Sequence, residues 1–115
     1  MAALSKEEGG TFVAGTWRLR AGEVGEAFSE SGYPLRMVQA AGVFTGLAEV
    51  VIEGSNIGGP DENWKVLTDA QGNPLVMARA DLLRIGDCPR HTRARVLRGD
   101  ELTDITVCIF AVRAR

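Results

Sequence analysis

Residues 48–67, AEVVIEGSNIGGPDENWKVL, constrain the fold more than any other part of the sequence. Ala48, Val50 and Ile52 alternate with a glutamate, a valine and a second glutamate, the two-residue period of a half-buried strand. The next eight or so positions cannot continue a strand, because glycine favours positive φ, proline lacks a backbone donor, and asparagine and aspartate bond their own backbone. Apolar character returns at Trp64. The stretch therefore predicts a strand, a polar loop and a returning strand.

Short apolar runs separated by turn-forming residues extend through the rest of the chain. Residues 81–85 fit either a strand or one helical turn, and residues 98–101 are predicted to be a hairpin connection because glycine accepts positive φ. The other runs lie at residues 11–20, 26–30, 35–41, 75–79, 92–97 and 102–112. About eight or nine short strands without a convincing long helix predict an all-β fold, a β-sandwich or jelly roll of antiparallel strands or a small barrel.

The length of 115 residues predicts one domain. Residues 1–10 are polar and end in two glycines, so we expect a flexible N-terminal arm with nothing to bury. Residues 11–115 are then expected to form a single β-sandwich domain. The N-terminus lacks the basic and apolar regions of a signal peptide, and no apolar run approaches the roughly 18 residues of a membrane span.

The composition offers few groups for catalysis or metal binding. The formal net charge of −2 gives no general attraction for nucleic acid. His91 is the one histidine, and the two cysteines, Cys88 and Cys108, do not have the spacing of a zinc site or a disulfide framework. No nucleophile–base pair stands out at a recognisable spacing. We therefore expect reduced thiols, no catalytic residues, no metal, no cofactor and no enzymatic activity.

One predicted strand carries a row of basic side chains. His91, Arg93 and Arg95 alternate along it, so they project from one face of the sheet. Such a row is either a solvated face or a contact for an acidic protein surface, because arginine matches carboxylates with two hydrogen bonds. Trp64, after the polar loop, is either a core residue or part of an exposed platform. These four residues are candidate protein contacts.

The last predicted strand is apolar on both faces. One face carries Ile105, Val107 and Ile109, and the other carries Phe110 and Val112. A sandwich strand with one solvated face alternates more cleanly. We therefore predict that Phe110 and Val112 are contact residues covered by another copy of the chain or by a different protein. The alternative is that Phe110 enters a second layer of the domain's own core.

Several segments together resemble a known family. They are residues 52–56 (IEGSN), 63–69 (NWKVLTD), 71–75 (QGNPL), 89–96 (PRHTRARV) and 104–107 (DITV). In this combination they are similar to the small head decoration, or cement, proteins of tailed bacteriophages, which are usually β-sandwich or jelly-roll domains on the outside of a capsid. The resemblance runs from about residue 46 to the C-terminus. Residues 57–62 are an insertion relative to the usual short loop of that family.

The resemblance implies a structural role and supplies no catalytic residues. It implies a virion protein, made in the host cytoplasm, that binds the capsid surface and stabilises contacts between major capsid subunits. The expected partners are the major capsid protein and further copies of the chain, as a dimer or trimer, with no membrane and no nucleic acid. Two alternatives stay open: a carbohydrate-binding β-sandwich module that uses Trp64 and the 54–63 loop, and a neck or tail-completion component.

Overall fold

Two antiparallel β-sheets form the fold, which confirms the prediction of a β-sandwich or jelly roll of about eight or nine short strands. The structure is a computed structural model that describes residues 1–30 and 32–113. Within these residues there are nine strands, one 3₁₀ turn at Asp61–Asn63 and no α-helix. The strands are β1 Ser5–Glu8, β2 Phe12–Leu19, β3 Leu35–Val43, β4 Glu49–Ser55, β5 Lys65–Val66, β6 Val76–Met77, β7 Asp81–Ile85, β8 His91–Leu97 and β9 Asp104–Val112.

The first sheet has the strand order β1-β2-β9-β3-β7, and we call it sheet one. The second, sheet two, is built around β4, with β8 on one edge and the short β5 and β6 on the other. The predicted hairpin at residues 98–101 is wrong. β8 pairs with β4, whereas β9 pairs with β2 and β3, so this connection crosses from one sheet to the other.

The core lies between the two sheets, where the inward residues of each strand meet. The predicted alternation of β9 is confirmed, because its residues alternate between buried and more exposed along the whole strand. The segment around Phe28 closes the side of the core by pairing with β8 through single bridges. The larger buried side chains of the core are Val13, Trp17, Leu19, Phe28, Val38, Val50, Ile52, Leu75, Val96, Ile105, Val107 and Ile109.

Residues 1–10 do not form the flexible arm with nothing to bury that the sequence predicted. Residues Ser5–Glu8 pair with β2 and make it an inner strand of sheet one. Ala2 is buried, and its backbone N–H donates to the Val24 carbonyl at 2.8 Å. The backbone N–H and C=O groups of a strand find hydrogen-bond partners in the neighbouring strand whatever its side chains are. A polar segment can therefore be a strand, although its hydropathy does not indicate one. Residues 114 and 115, which fall within the predicted 11–115 domain, lie outside the described residues.

Arg36 is a charged residue on the inner face of sheet one. Its side chain is 1% exposed and donates to the carbonyls of Glu30 and Tyr33 and to the Thr92 hydroxyl. The guanidinium carbon lies 5.4 Å from the centre of the Phe28 ring. Burial lowers the pKa of this guanidinium from its usual value. The side chain thus links Glu30 and Tyr33 to both sheets.

Candidate functional site

The outward side of sheet one carries an apolar surface that includes both contact candidates from the last strand. Phe110 is 44% exposed, and Val112 is partly exposed beside it. Phe110 therefore lies outside the core of the single chain, so it does not fill a second core layer. Its ring stacks on that of Phe12, with the centroids 5.2 Å apart.

Cross-strand pairing extends this surface over three strands. Phe110 lies between Ala14 on β2 and Met37 on β3. In the adjoining row Val112 lies between Phe12 and Leu35. Residues paired across a sheet share a face, so these side chains form one continuous patch. We call it the apolar face; it consists of Phe12, Ala14, Leu35, Met37, Phe110 and Val112.

The other four candidates meet on the opposite side of the molecule, on the outward face of sheet two. His91, Arg93 and Arg95 do share one face of β8, as their spacing predicted. They are not, however, a free basic row. Arg93 Nε donates to Glu53 Oε1 at 2.9 Å, and Arg95 Nε donates to the same oxygen at 3.3 Å. Glu53 stands directly opposite Arg93 in the ladder, so the sheet itself supplies the counter-charge.

The polar loop after β4 folds back over this face and completes the cluster. The Asp61 carboxylate bridges the two arginines, at 3.1 Å from Arg93 Nη2 and 3.0 Å from Arg95 Nη2. Hydrogen bonds from Arg95 and Arg93 hold the pKa of Asp61 below its usual value. The two guanidinium charges are thereby balanced by the carboxylates of Glu53 and Asp61. Of the two, Arg93 is buried and Arg95 stays partly exposed.

Trp64 lies beneath the Arg93 side chain and is only 8% exposed. The guanidinium carbon of Arg93 is 4.1 Å from the centre of the indole ring, and the indole N–H donates to the Gly59 carbonyl at 3.2 Å. The indole packs outside the main core, between the 56–63 loop and the sheet. It therefore offers no open aromatic platform to a ligand.

His91 borders the same cluster at the start of β8. Its Nδ1 is 2.7 Å from the Ser29 hydroxyl, and its ring centre is 6.4 Å from that of Trp64. Among residues 1–30 and 32–113, no three His, Cys, Asp or Glu side chains lie close enough together to hold a metal ion. Within the same residues, no helix has the length and apolar character needed to cross a membrane. Cys88 and Cys108 are both free thiols.

One end of the sandwich carries two exposed leucines that the sequence did not single out. Leu47 is 78% exposed in the β3–β4 connection, and Leu102 is 66% exposed in the β8–β9 connection. Both connections cross between the sheets at the same end of the molecule, and the Gly99 backbone N–H donates to the Gly46 carbonyl at 3.0 Å. We call this end, residues 44–48 and 98–103, the loop end.

Hydrogen bonds hold the loop end rigid beneath its leucines. The Thr45 hydroxyl donates to Asp100 Oδ1 at 2.6 Å, and the Thr103 hydroxyl donates to the Thr45 carbonyl at 3.1 Å. The Leu102 backbone N–H in turn donates to Asp100 Oδ1 at 2.9 Å. These bonds from Thr45 and Leu102 lower the pKa of Asp100. Leu47 and Leu102 are therefore displayed on a single well-connected base.

Leu47 has an unfavourable backbone conformation for a leucine. Its φ angle is 59°, next to Gly46 at 62°, in a turn closed by the Ala48 N–H to Thr45 carbonyl bond. Glycine and asparagine suit such a position, whereas a residue with a larger Cβ substituent costs about 1–2 kcal/mol there. No sequence signal marked Leu47, because its φ angle and its exposure are visible only in the structure.

Comparison with known proteins adds little to this geometry. No protein-family model and no curated protein matches the chain. Among solved structures, the chain is similar to the cupin domain of Schizosaccharomyces pombe Cnp3, with 11% sequence identity and a TM-score of 0.42. The alignment covers 96% of this chain but only 60% of the other, so this chain spans less than two-thirds of that protein's length. A similarity at this level carries no argument about function.

Proposed function

We propose that the chain is a structural, non-catalytic virion protein that binds the outside of a bacteriophage capsid and stabilises contacts between major capsid subunits. It is made in the host cytoplasm and acts at the capsid surface. The loop end is the surface that meets the shell, with Leu47 and Leu102 as its anchors. Two kinds of observation support this proposal: the resemblance of residues 46 onward to head decoration proteins, and the construction of the loop end.

The observation that carries the proposal is the exposed leucine at a strained position. Leu47 contributes almost no burial to the single chain, and its left-handed backbone costs stability. A residue that costs folding energy without filling the core is best explained by a contact outside the chain. An apolar side chain on a rigid base suits a pocket in a partner protein, because little conformational entropy is lost on binding.

The energetics fit a protein that works in many copies. Burial of an exposed leucine contributes about 1.5–3 kcal/mol, so two anchors per copy provide a modest but useful attachment. A closed shell repeats each contact many times, and a copy that touches two capsid subunits opposes their separation. A strong single interface is therefore not required.

A carbohydrate-binding role has less support. Sugar recognition by an aromatic platform needs an open ring face, and the Trp64 indole is covered by Arg93. A neck or tail-completion component would use the same kind of protein contact as a decoration protein. The two roles differ only in the position of the protein on the particle. Localisation on particles therefore separates it from the decoration role.

The test uses empty capsids of the phage that carries the gene. The purified chain should cosediment with them to a saturating stoichiometry and raise their melting temperature. Leu47→Asn and Leu102→Asn should each weaken binding at least tenfold, whereas Ile57→Asn should not. Ile57 is a matched control, because it is 76% exposed in a loop at the opposite end of β4.

Two outcomes would contradict the proposal. One is the absence of saturable binding to capsids. The other is an equal loss of binding in the Ile57 and Leu47 variants, since a generic loss of apolar surface would then explain the effect. Binding confined to one vertex of complete particles would support the neck or tail alternative instead.

A further inference from the structure

The apolar face has opposite charges at its two sides. One of its two rows is Ala14, Phe110 and Met37, and the ladders continue this row to Glu7 on β1 and to Arg84 on β7. Because paired residues share a face, Glu7 and Arg84 project to the same side as Phe110. Both are exposed, and neither takes part in an ion pair among the residues that the structure describes.

We propose that a second copy of this chain covers the apolar face and forms a two-fold symmetric dimer. β9 is the third of five strands in sheet one, so Phe110 lies at the centre of the row, two strands from each charge. The two-fold axis runs parallel to β9, midway between the facing sheets. It reverses the strand order, so that β1 of one copy faces β7 of the other. It places Phe110 against Phe110, and Glu7 of one copy against Arg84 of the other, twice.

The charges also select the direction of the axis. A two-fold axis that runs across the strands would place Arg84 against Arg84 and Glu7 against Glu7, and like charges in an interface are unfavourable. Sheets that pack face to face lie about 10 Å apart with strand directions within about 30° of each other. At this angle β1 still lies over β7, about 10 Å from the axis at a strand spacing of about 4.8 Å.

The apolar face is separate from the loop end, so the dimer does not depend on the proposed capsid contact. The two are compatible, however. An axis along the strands brings the loop ends of both copies to the same side of the dimer. Only six side chains make up the apolar face, so we expect a weak dimer that forms in the micromolar range or above.

Sedimentation analysis of the full chain from about 1 μM to 1 mM tests this proposal. The mass should rise with concentration from 12.3 kDa to twice that value. Glu7→Arg and Arg84→Glu should each raise the dimer dissociation constant at least tenfold. Glu8→Arg is the matched control, because this neighbouring residue projects to the other side of β1 and should leave dimerisation unchanged. Circular dichroism should show native β structure in all variants.

The decisive sample is an equimolar mixture of the Glu7→Arg and Arg84→Glu variants. In a mixed dimer one copy carries two arginines and the other two glutamates, so both contacts are again attractive. The mixture should therefore dimerise as the original chain does, while each variant alone stays monomeric. A monomeric original chain at 1 mM, a trimeric limiting mass, or a mixture that remains monomeric would each overturn the proposal.

Discussion

Truncation of adjacent residues on β9 tests whether the strand divides core from contact surface as described. Ile109 is fully buried between the sheets, and Phe110 is 44% exposed on the apolar face. A buried phenylalanine covers about 150 Å² or more, so about half of that area, roughly 80 Å², is at stake at Phe110. At about 25 cal/mol per Å², Phe110→Ala should cost at most about 2 kcal/mol.

Ile109→Ala is expected to cost more, although isoleucine is the smaller side chain. Removal of a fully buried isoleucine also leaves a cavity, and such changes cost about 2–5 kcal/mol. At Phe110 water fills the space, so no cavity term is added. We therefore expect the Ile109 variant to lose more free energy of unfolding than the Phe110 variant.

Urea denaturation at low micromolar protein concentration measures both variants as monomers. The free energies of unfolding follow from linear extrapolation, and the slopes with urea should be unchanged. The same samples at high concentration should show that Phe110→Ala loses self-association while Ile109→Ala, once corrected for unfolding, retains it. An equal or larger stability loss at Phe110 would place that side chain in the core and refute the assignment of the apolar face as a contact surface.

Three further outcomes follow from other parts of the fold. Arg36→Lys should lower the free energy of unfolding by about 3 kcal/mol in urea denaturation, because the single nitrogen of an ammonium cannot occupy the separate positions of Nε, Nη1 and Nη2, each of which donates a hydrogen bond. An unchanged value would contradict the structural role of this residue. Deletion of residues 1–10 should lower the melting temperature by about 5 °C or more, because it removes β1 from sheet one; the same melting temperature would favour the flexible arm. The pKa of Asp61 is lower in the folded chain than in the unfolded chain, so as the pH falls this carboxyl is protonated in the unfolded chain before it is protonated in the folded chain. The ionised carboxylate therefore stabilises the fold fully above about pH 4, and this stabilisation is lost as the pH falls further. Asp61→Asn should therefore weaken the acid dependence of unfolding below pH 4, and an identical dependence in both proteins would refute the bridge to Arg93 and Arg95.

The sequence predicted the longer strands well, because period-two alternation reports burial directly, but it missed β1 and placed a strand at 26–30 where only an isolated bridge at Phe28 forms. Both sides of β9 were assigned correctly, and the strand–loop–strand reading of residues 48–67 matches β4, the 3₁₀ turn and β5. The common face of His91, Arg93 and Arg95 was also correct. Each of these depends only on local geometry, which the residues of one strand determine.

What the sequence did not reveal depends on contacts between distant segments. Turn residues such as those at 98–101 favour a change of direction, but they do not show whether the next strand pairs locally or joins the other sheet. The same holds for Asp61, which neutralises two arginines more than thirty positions away. Arg36 can face inward because backbone carbonyls of Glu30 and Tyr33 accept its hydrogen bonds. Every residue has a backbone carbonyl, so the sequence does not show where such acceptors will lie.

The sequence indicated the apolar face but did not indicate the loop end. Phe110 and Val112 interrupt a clean alternation, so the sequence alone singled them out, and both lie on the outward face of sheet one. Leu47 and Leu102 are single leucines in turns, and only the φ angle of one and the exposure of both distinguish them from ordinary apolar residues.

An electron cryomicroscopy reconstruction of capsids with and without the chain tests the central claim most directly. We expect added density on the outer surface of the shell only when the chain is present. That density should fit pairs of sandwiches related by a two-fold axis, with residues 44–48 and 98–103 against the capsid subunits. Identical reconstructions, or density that meets the shell through the 56–63 loop and not through the loop end, would contradict the account.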